Sequence, residues 1–217
     1  MPIKASIIPV TAFQQNCSLI WCEETKDAAV VDPGGDLALI EKAVEEAGVN
    51  LTQILLTHGH IDHAGGTAEL AEKRDLPIIG PQEDEKFWID QLEDQATMFN
   101  FTPSKSFEPT RWLNDDDEVK VGNVALKVVH CPGHTPGHVV FISEEDKLAI
   151  VGDVLFQGSI GRTDFPKGNH EDLINSITQK LWPFGDDIVF IPGHGQLSTF
   201  GDERKTNPFV SDRALAG

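Results

Sequence analysis

The sequence has little cysteine and no long apolar run. Its three cysteines, Cys17, Cys22 and Cys131, are irregularly spaced. They do not form the framework of a disulfide-stabilised protein, and they favour a reducing compartment. No apolar stretch is long enough to span a membrane, and the first residues lack the apolar segment of a signal peptide. We therefore expect a soluble, cytoplasmic protein that does not associate with membranes.

Positive charge is also scarce, with 17 Lys and Arg residues against 35 Asp and Glu residues, for a formal net charge of -18 at pH 7. Such a surface repels phosphate backbones, so nucleic acid is not an expected partner. The 217 residues, 40% of them hydrophobic, are enough for a sizeable core. No low-complexity tract, repeat or linker divides them, so we expect a single domain over residues 1–217.

Short apolar runs alternate with stretches of helical spacing. The apolar runs predict strands at residues 3–10, 17–22, 28–32, 54–57, 76–79, 119–121, 124–129, 139–142, 148–151 and 188–191. Helical spacing covers residues 36–48, 65–74, 87–99 and 169–181, and residues 101–114 read as an irregular connection. Short turns such as Gly122-Asn123 join several strands, so the pattern predicts an α/β protein with mixed sheets.

The most informative stretch is residues 55–66. Within six positions it carries His58, His60, Asp62 and His63. His58 and His60 are two apart, so in an extended segment they project to the same side. Such a pair could hold part of one metal ion, and the two ligand-type residues that follow suggest a second ion. A polar surface loop is the alternative, but three of the eight histidines of the chain lie in this stretch.

Ligand-type residues also follow three other predicted strands. His134, Asp153 and His194 come after the apolar runs that begin at residues 124, 148 and 188. In α/β proteins, ligands collect at the carboxyl ends of strands. Nitrogen and oxygen donors of this kind indicate a site for Zn, Fe or Mn and not a soft site built from thiolates. Seven ligands exceed one four-coordinate ion, so we expect two divalent ions that share a carboxylate and keep open, catalytic positions.

The motif His58-x-His60-x-Asp62-His63, with His134, Asp153 and His194 downstream, resembles the metallo-β-lactamase superfamily. The resemblance implies a four-layer αββα sandwich, with two mixed sheets flanked by helices and the site at one edge. It also implies the metal ligands: His58, His60 and His134 for the first ion, Asp62, His63 and His194 for the second, and Asp153 as the bridge.

Two positions argue against antibiotic hydrolysis, because Asp153 and His63 stand where common zinc β-lactamases have Cys and Arg. Residues 131–138, 192–195 and 203–209 are instead similar to glyoxalase II, in particular to its short single-domain bacterial members. This resemblance implies hydrolysis of S-lactoylglutathione to glutathione and D-lactate by a metal-bound hydroxide. Asp153 would be the bridging catalytic residue, and Asp62 a ligand that could accept a proton.

The chain departs from the longer glyoxalase II enzymes, because it stops before their C-terminal helical glutathione-binding domain and has no tyrosine for their substrate loop. Arg162, in the loop 161–165, is the candidate for binding a substrate carboxylate, and a structural salt bridge is an equal alternative. That loop also resembles persulfide dioxygenases, which would use one iron held by His58, His134 and Asp153.

Three other functions compete with thioester hydrolysis. A lactonase or a metal-dependent nuclease would use the same fold, although the acidic charge argues against the nuclease. A metal-binding module without catalysis is the third. We expect two zinc ions, with iron or manganese as alternatives, a small-molecule thioester as substrate, and a monomer or small homo-oligomer.

Overall fold

The structure is a computed structural model that describes residues 2–216, and its main strands form two mixed β-sheets. The first sheet has the order β1-β2-β3-β4-β5, with β1 at Ile3–Val10, β2 at Gln15–Cys22, β3 at Asp27–Val31, β4 at Asn50–Leu55 and β5 at Ile78–Ile79. Strands β1 to β3 are antiparallel neighbours, whereas β3, β4 and β5 run parallel. Strands β3 and β4 therefore end at the same edge, where the histidine-rich stretch begins.

The second sheet has the order β13-β12-β9-β8-β7-β6. Its strands are β6 (Glu118–Val121), β7 (Val124–His130), β8 (Val139–Ser143), β9 (Leu148–Gly152), β12 (Val189–Pro192) and β13 (Ser198–Thr199). Val121 pairs with Val124, which confirms the predicted hairpin at Gly122-Asn123. Strands β7, β9 and β12 point the same way, so their carboxyl ends meet at one edge. A separate hairpin, β10 (Leu155–Phe156) with β11 (Ser159–Ile160), follows β9.

Eight α-helices and three segments of other helical types lie between or after these strands in the described chain. The helices are α1 (Leu37–Ala47), α2 (Ile61–Ala64), α3 (Thr67–Arg74), α4 (Lys86–Ile89), α5 (Leu92–Phe99), α6 (His170–Asn175), α7 (Phe200–Thr206) and α8 (Asp212–Leu215). Segments Glu83–Glu85 and Trp182–Phe184 are 3₁₀ turns, and Ser176–Leu181 continues α6 as a π-helix.

Several expected elements differ in detail. The helical pattern over 87–99 is divided at residues 90–91 into two short helices, α4 and α5. The expected helix 65–74 begins at Thr67, and a separate one-turn helix, α2, precedes it inside the histidine-rich stretch. The expected strand 54–57 lies earlier, at β4, so His58 and His60 sit on non-regular backbone beyond it.

The core has three apolar layers because successive strand residues point to opposite faces. In β3, Ala29 and Val31 face the second sheet, whereas Ala28 and Val30 pack toward α1 and α3. The outer face of the second sheet is covered by α6, the π-helix and α7. The expected four-layer αββα sandwich is confirmed. Over residues 2–216, every helix is too short or too polar to cross a membrane.

Candidate metal centre

The predicted ligands converge at the edge where the strands of both sheets end. His58 and His60 follow β4, His134 follows β7, Asp153 directly follows β9, and His194 lies just beyond β12. Asp62 and His63 lie on α2. The predicted ligands form two groups, each with its donor atoms within 4.8 Å of one another: His58, His60 and His134 in the first, and Asp62, His63 and His194 in the second. Asp32, which was not predicted, forms a third and overlapping group with His58 and His63.

Asp153 reaches both groups. Its Oδ1 lies 3.3 Å from Nε2 of His63, and its Oδ2 lies 3.6 Å from Nε2 of His134 and 3.8 Å from Nε2 of His194. Within the groups, Nδ1 of His60 is 3.0 Å from Nε2 of His134, and Oδ2 of Asp62 is 3.1 Å from Nε2 of His194. One carboxylate between two donor groups is the arrangement that a bridging ligand requires.

Unpaired buried atoms show that this donor set fits metal ions. Nε2 of His58, Nε2 of His63 and Oδ1 of Asp153 are buried and have no hydrogen-bond partner. Each such atom carries a desolvation cost of about 1–3 kcal/mol unless something coordinates it. Nitrogen and carboxylate oxygen donors suit a borderline divalent cation such as zinc or iron. The centre is therefore suited to two divalent cations.

The electrostatics of the two groups differ. Burial, reinforced by the neighbouring histidines, holds the pKa of His58 and His60 well below the usual value, so both rings are neutral, as ligands must be. Burial also lowers the pKa of His63, but the carboxylates of Asp153 and Asp62 outweigh it and hold that pKa well above the usual value. The field around His63 thus favours positive charge, whether a proton or a metal ion carries it.

Asp32 supports the centre and was missed from sequence. It directly follows β3, is buried, and accepts a hydrogen bond from the backbone N–H of Thr57 at 2.7 Å and from its hydroxyl at 2.6 Å. Its Oδ2 lies 2.8 Å from Nδ1 of His63, which directs Nε2 of that ring toward the centre. A carboxylate behind a ligating histidine fixes the ring and its tautomer. The sequence did carry a signal for Asp32, because it is an acidic residue at the end of an apolar strand. The same pattern identified Asp153.

The segment 83–99 braces the ligand loops. The buried carboxylate of Glu85 accepts from the backbone N–H of Gly59 at 2.9 Å and from that of Gly137 at 2.8 Å, so it joins the loop of His58 and His60 to the loop of His134. Gln95 accepts from the N–H of Ile61 at 3.0 Å and donates to the carbonyl of Gly59 at 3.3 Å. No local pattern in the sequence marks either residue.

His138 supports the centre and Cys131 packs in the core, and neither belongs to the donor groups. His138 stacks on His58 with ring centroids 4.6 Å apart and accepts from the N–H of Asp153 at 3.1 Å. Cys131 is buried in the core against the second sheet. Gly193 leaves room for the centre, because a Cβ there would collide with Asp153 and with the ring of His63.

The centre opens into a cavity of about 670 Å³. Arg162, expected to bind a substrate carboxylate, lines this cavity. Its guanidinium donates two hydrogen bonds to Asp164, at 2.7 and 2.6 Å, and lies 4.2 Å from the ring centroid of Phe165. Its carbonyl oxygen lies 2.7 Å from Nδ1 of His134. The role of Arg162 as a substrate ligand stays a prediction. In the structure its guanidinium forms a salt bridge with Asp164, which is the alternative role considered from the sequence.

The C-terminal residues noted in the sequence anchor one wall of the cavity. Buried Glu203 accepts from the N–H of Gly158 at 2.8 Å, and Asn207 donates to the carbonyl of Ser159 at 3.0 Å. These bonds hold the β10–β11 hairpin, which contributes Phe156 and Ile160 to the cavity.

A family model described as the metallo-β-lactamase superfamily matches residues 10–194, which include all seven expected ligands. The chain belongs to this superfamily. It is 49% identical to the hydroxyacylglutathione hydrolase GloC of Haemophilus influenzae over 213 residues, which cover 98% of this chain and all of that protein.

Solved structures agree with this assignment. BLEG-1, described as a B3 metallo-β-lactamase, superimposes with a TM-score of 0.86 at 31% identity and covers 96% of this chain and 99% of that one. TTHA1623 in a di-iron-bound form also has a TM-score of 0.86 at 31% identity, covering 94% of this chain and 100% of that one. Together with the two donor groups, these similarities identify the superfamily member as a metallohydrolase of the glyoxalase II type.

Proposed function

We propose that this metallohydrolase cleaves thioesters, with S-lactoylglutathione as substrate and glutathione and D-lactate as products. The observation that carries the binuclear assignment is Asp153, whose carboxylate lies within 3.3 to 3.8 Å of histidines from both donor groups. The substrate is proposed from the full-length similarity to a hydroxyacylglutathione hydrolase. We further propose that residues 1–217 act as one hydrolase domain, because the described ligands come from strands of both sheets.

Two divalent ions bound at this centre would polarise a carbonyl and lower the pKa of bound water from about 15.7 toward 7. His58, His60 and His134 would hold one ion, Asp62, His63 and His194 the other, and Asp153 both. Zinc is our first proposal, and iron is the alternative that the di-iron form of TTHA1623 supports.

The chain's own residues then prepare the reaction. Asp32 fixes the ring of His63, and Glu85 holds the loops of His60 and His134 together. Asp62 is positioned to accept a proton at its carboxylate as water adds to the thioester carbonyl. A thiol leaves as a thiolate with a pKa of about 8.5, so no additional general acid is required.

The test is thioester loss from S-lactoylglutathione with protein loaded with Zn, Fe or Mn. Asp153→Asn should lose metal and activity together, whereas Asp187→Asn makes the same chemical change on an exposed residue remote from the centre and should lose neither. Activity and metal retained in Asp153→Asn would overturn the binuclear assignment. Failure of all three metal forms, with oxygen uptake on glutathione persulfide, would move the assignment to the mononuclear iron dioxygenase.

A further inference from the structure

The cavity beside the metal centre is apolar over most of its surface. Beyond the donor residues, it is lined by an apolar wall that comprises Phe13, Trp88, Met98, Phe99, Phe156 and Phe165. Phe13, Met98 and Phe99 lie at the surface with 46, 75 and 41% of their area exposed. Large apolar side chains grouped beside a reactive centre are typical of a surface that a ligand covers.

The wall is preformed and attached to the centre. The ring of Phe13 packs edge-on against those of Phe99 and Phe101, at centroid distances of 6.0 and 5.1 Å. The backbone carbonyl of Phe13 lies 3.2 Å from Nδ1 of His194. A ligand that covers the wall is therefore placed directly next to the expected metals.

Positive charge is nearly missing from the same cavity. Among its lining residues in the described chain, Arg162 is the single lysine or arginine, and Asp164 already engages its guanidinium through two hydrogen bonds. Asp94 adds a carboxylate to the lining. The glutathione moiety carries two carboxylates and one ammonium group, so this lining offers its net negative charge little compensation.

We propose that the centre prefers thioesters that carry an apolar chain next to the reacting carbonyl, seated on the wall. The inference rests on the proposed thioester hydrolysis and names the substrate class for it. Water adds to the carbonyl carbon and the carbon–sulfur bond breaks, so that the oxygen of the water stays in the carboxylic acid and one of its protons passes to the sulfur of the departing thiol. The product that carries the apolar chain, either the acid or the thiol, then leaves the wall.

Two substrate series locate the apolar chain. The first is glutathione with acetyl, butyryl and hexanoyl groups; the second is ethyl, butyl and hexyl thioacetate. We expect kcat/KM with metal-loaded protein to rise about two- to fourfold per added methylene along at least one series, because burying a methylene is worth up to about 0.8 kcal/mol. A rise in the first series places the wall on the acyl side and a rise in the second on the thiol side. No rise in either overturns the inference.

A matched pair of variants tests the wall itself. Met98→Lys puts a cation on it, and Leu39→Lys puts the same charge on α1 at a residue that is 49% exposed and does not line the cavity. In the series in which kcat/KM rises with chain length, Met98→Lys should reduce the ratio of kcat/KM between the longest and the shortest member at least threefold. It should also increase kcat/KM for S-lactoylglutathione. Leu39→Lys should change neither. Equal behaviour of the two variants would contradict a contact between substrate and wall.

The two proposals fail differently. If metal-loaded protein hydrolyses no thioester of either series and no S-lactoylglutathione, thioester hydrolysis itself is wrong. If S-lactoylglutathione is hydrolysed but both series are flat, hydrolysis stands and only the apolar preference is wrong.

Discussion

Glu85 should make the stability of the metal-free protein depend on pH in a way that one substitution reveals. Its side chain is fully buried, and burial raises its pKa from 4.5 to about 7, against the opposing effect of the backbone N–H groups of Gly59 and Gly137. The folded state therefore holds this proton more tightly than the unfolded state does. The resulting stabilisation is complete below pH 4.5 and is lost as the pH rises through 7.

The magnitude follows from these two pKa values. At about 1.36 kcal/mol for each pH unit between them, the protonated carboxyl contributes about 3 kcal/mol of stability that the carboxylate lacks. Between pH 5 and pH 8 about 2.5 kcal/mol of this should be lost. Glu85→Gln does not titrate, and its amide oxygen can accept from only one of the two N–H groups. At pH 5 the Glu85→Gln protein should therefore be less stable than the wild type by about 1–3 kcal/mol, the cost of one buried N–H group without an acceptor.

Urea unfolding of chelator-treated protein at pH 5 and pH 8 measures the effect. The advantage of the wild type over Glu85→Gln should be about 2.5 kcal/mol larger at pH 5, because the histidines common to both proteins cancel in the difference. Glu83→Gln, in the same turn but exposed, should show no such pH dependence. If the difference in free energy of unfolding between the wild type and Glu85→Gln is equal at both pH values, Glu85 does not retain its proton in the folded state and the prediction is wrong.

Three further substitutions test the support of the centre. Asp32→Ala removes the carboxylate behind His63 and should weaken metal binding about 10- to 100-fold, measured by competition with a chelating dye; unchanged affinity would contradict its positioning role. His138→Phe keeps a ring but leaves the N–H of Asp153 without its acceptor, which should cost about 1–3 kcal/mol in urea unfolding. Gly193→Ala places a methyl group against Asp153 and should reduce bound metal, measured by elemental analysis, to one ion or none; two ions per chain would contradict the steric argument.

The sequence predicted most of the fold because its signals are local. Apolar runs located β1, β7, β9 and β12 closely, and the Gly-Asn turn located the hairpin between β6 and β7. The short elements β10, β11, β13 and α2 were missed because they are too short to show a period. The division between α4 and α5 was missed because apolar residues keep helical spacing across residues 90–91.

The convergence of the candidate donor residues was also predictable, since His58, His134, Asp153 and His194 follow apolar strands whose ends meet at one edge. Glu85 and Gln95 were not, because their partners lie far away along the chain: Glu85 bonds to Gly59 and Gly137, and Gln95 to Ile61. Both are polar residues in an acidic, helical segment, and nothing in that pattern separates a buried acceptor from a solvated side chain.

That segment has two functions, and helix α5 allows them to be separated. Gln95 borders the cavity but is only 5% exposed, and its amide bonds to Ile61 and Gly59, whereas Met98, one turn later, is 75% exposed on the apolar wall. Gln95→Leu leaves the N–H of Ile61 without its acceptor, so it should loosen the loop and lower metal affinity. At limiting metal it should then reduce kcat/KM by one common factor for every thioester. Met98→Lys should instead change the ratio between apolar and glutathione thioesters at unchanged metal affinity. A Gln95→Leu protein with normal metal affinity but a changed ratio of kcat/KM between apolar and glutathione thioesters would contradict this separation. Both residues of α5 would then affect substrate selection and neither would affect metal binding.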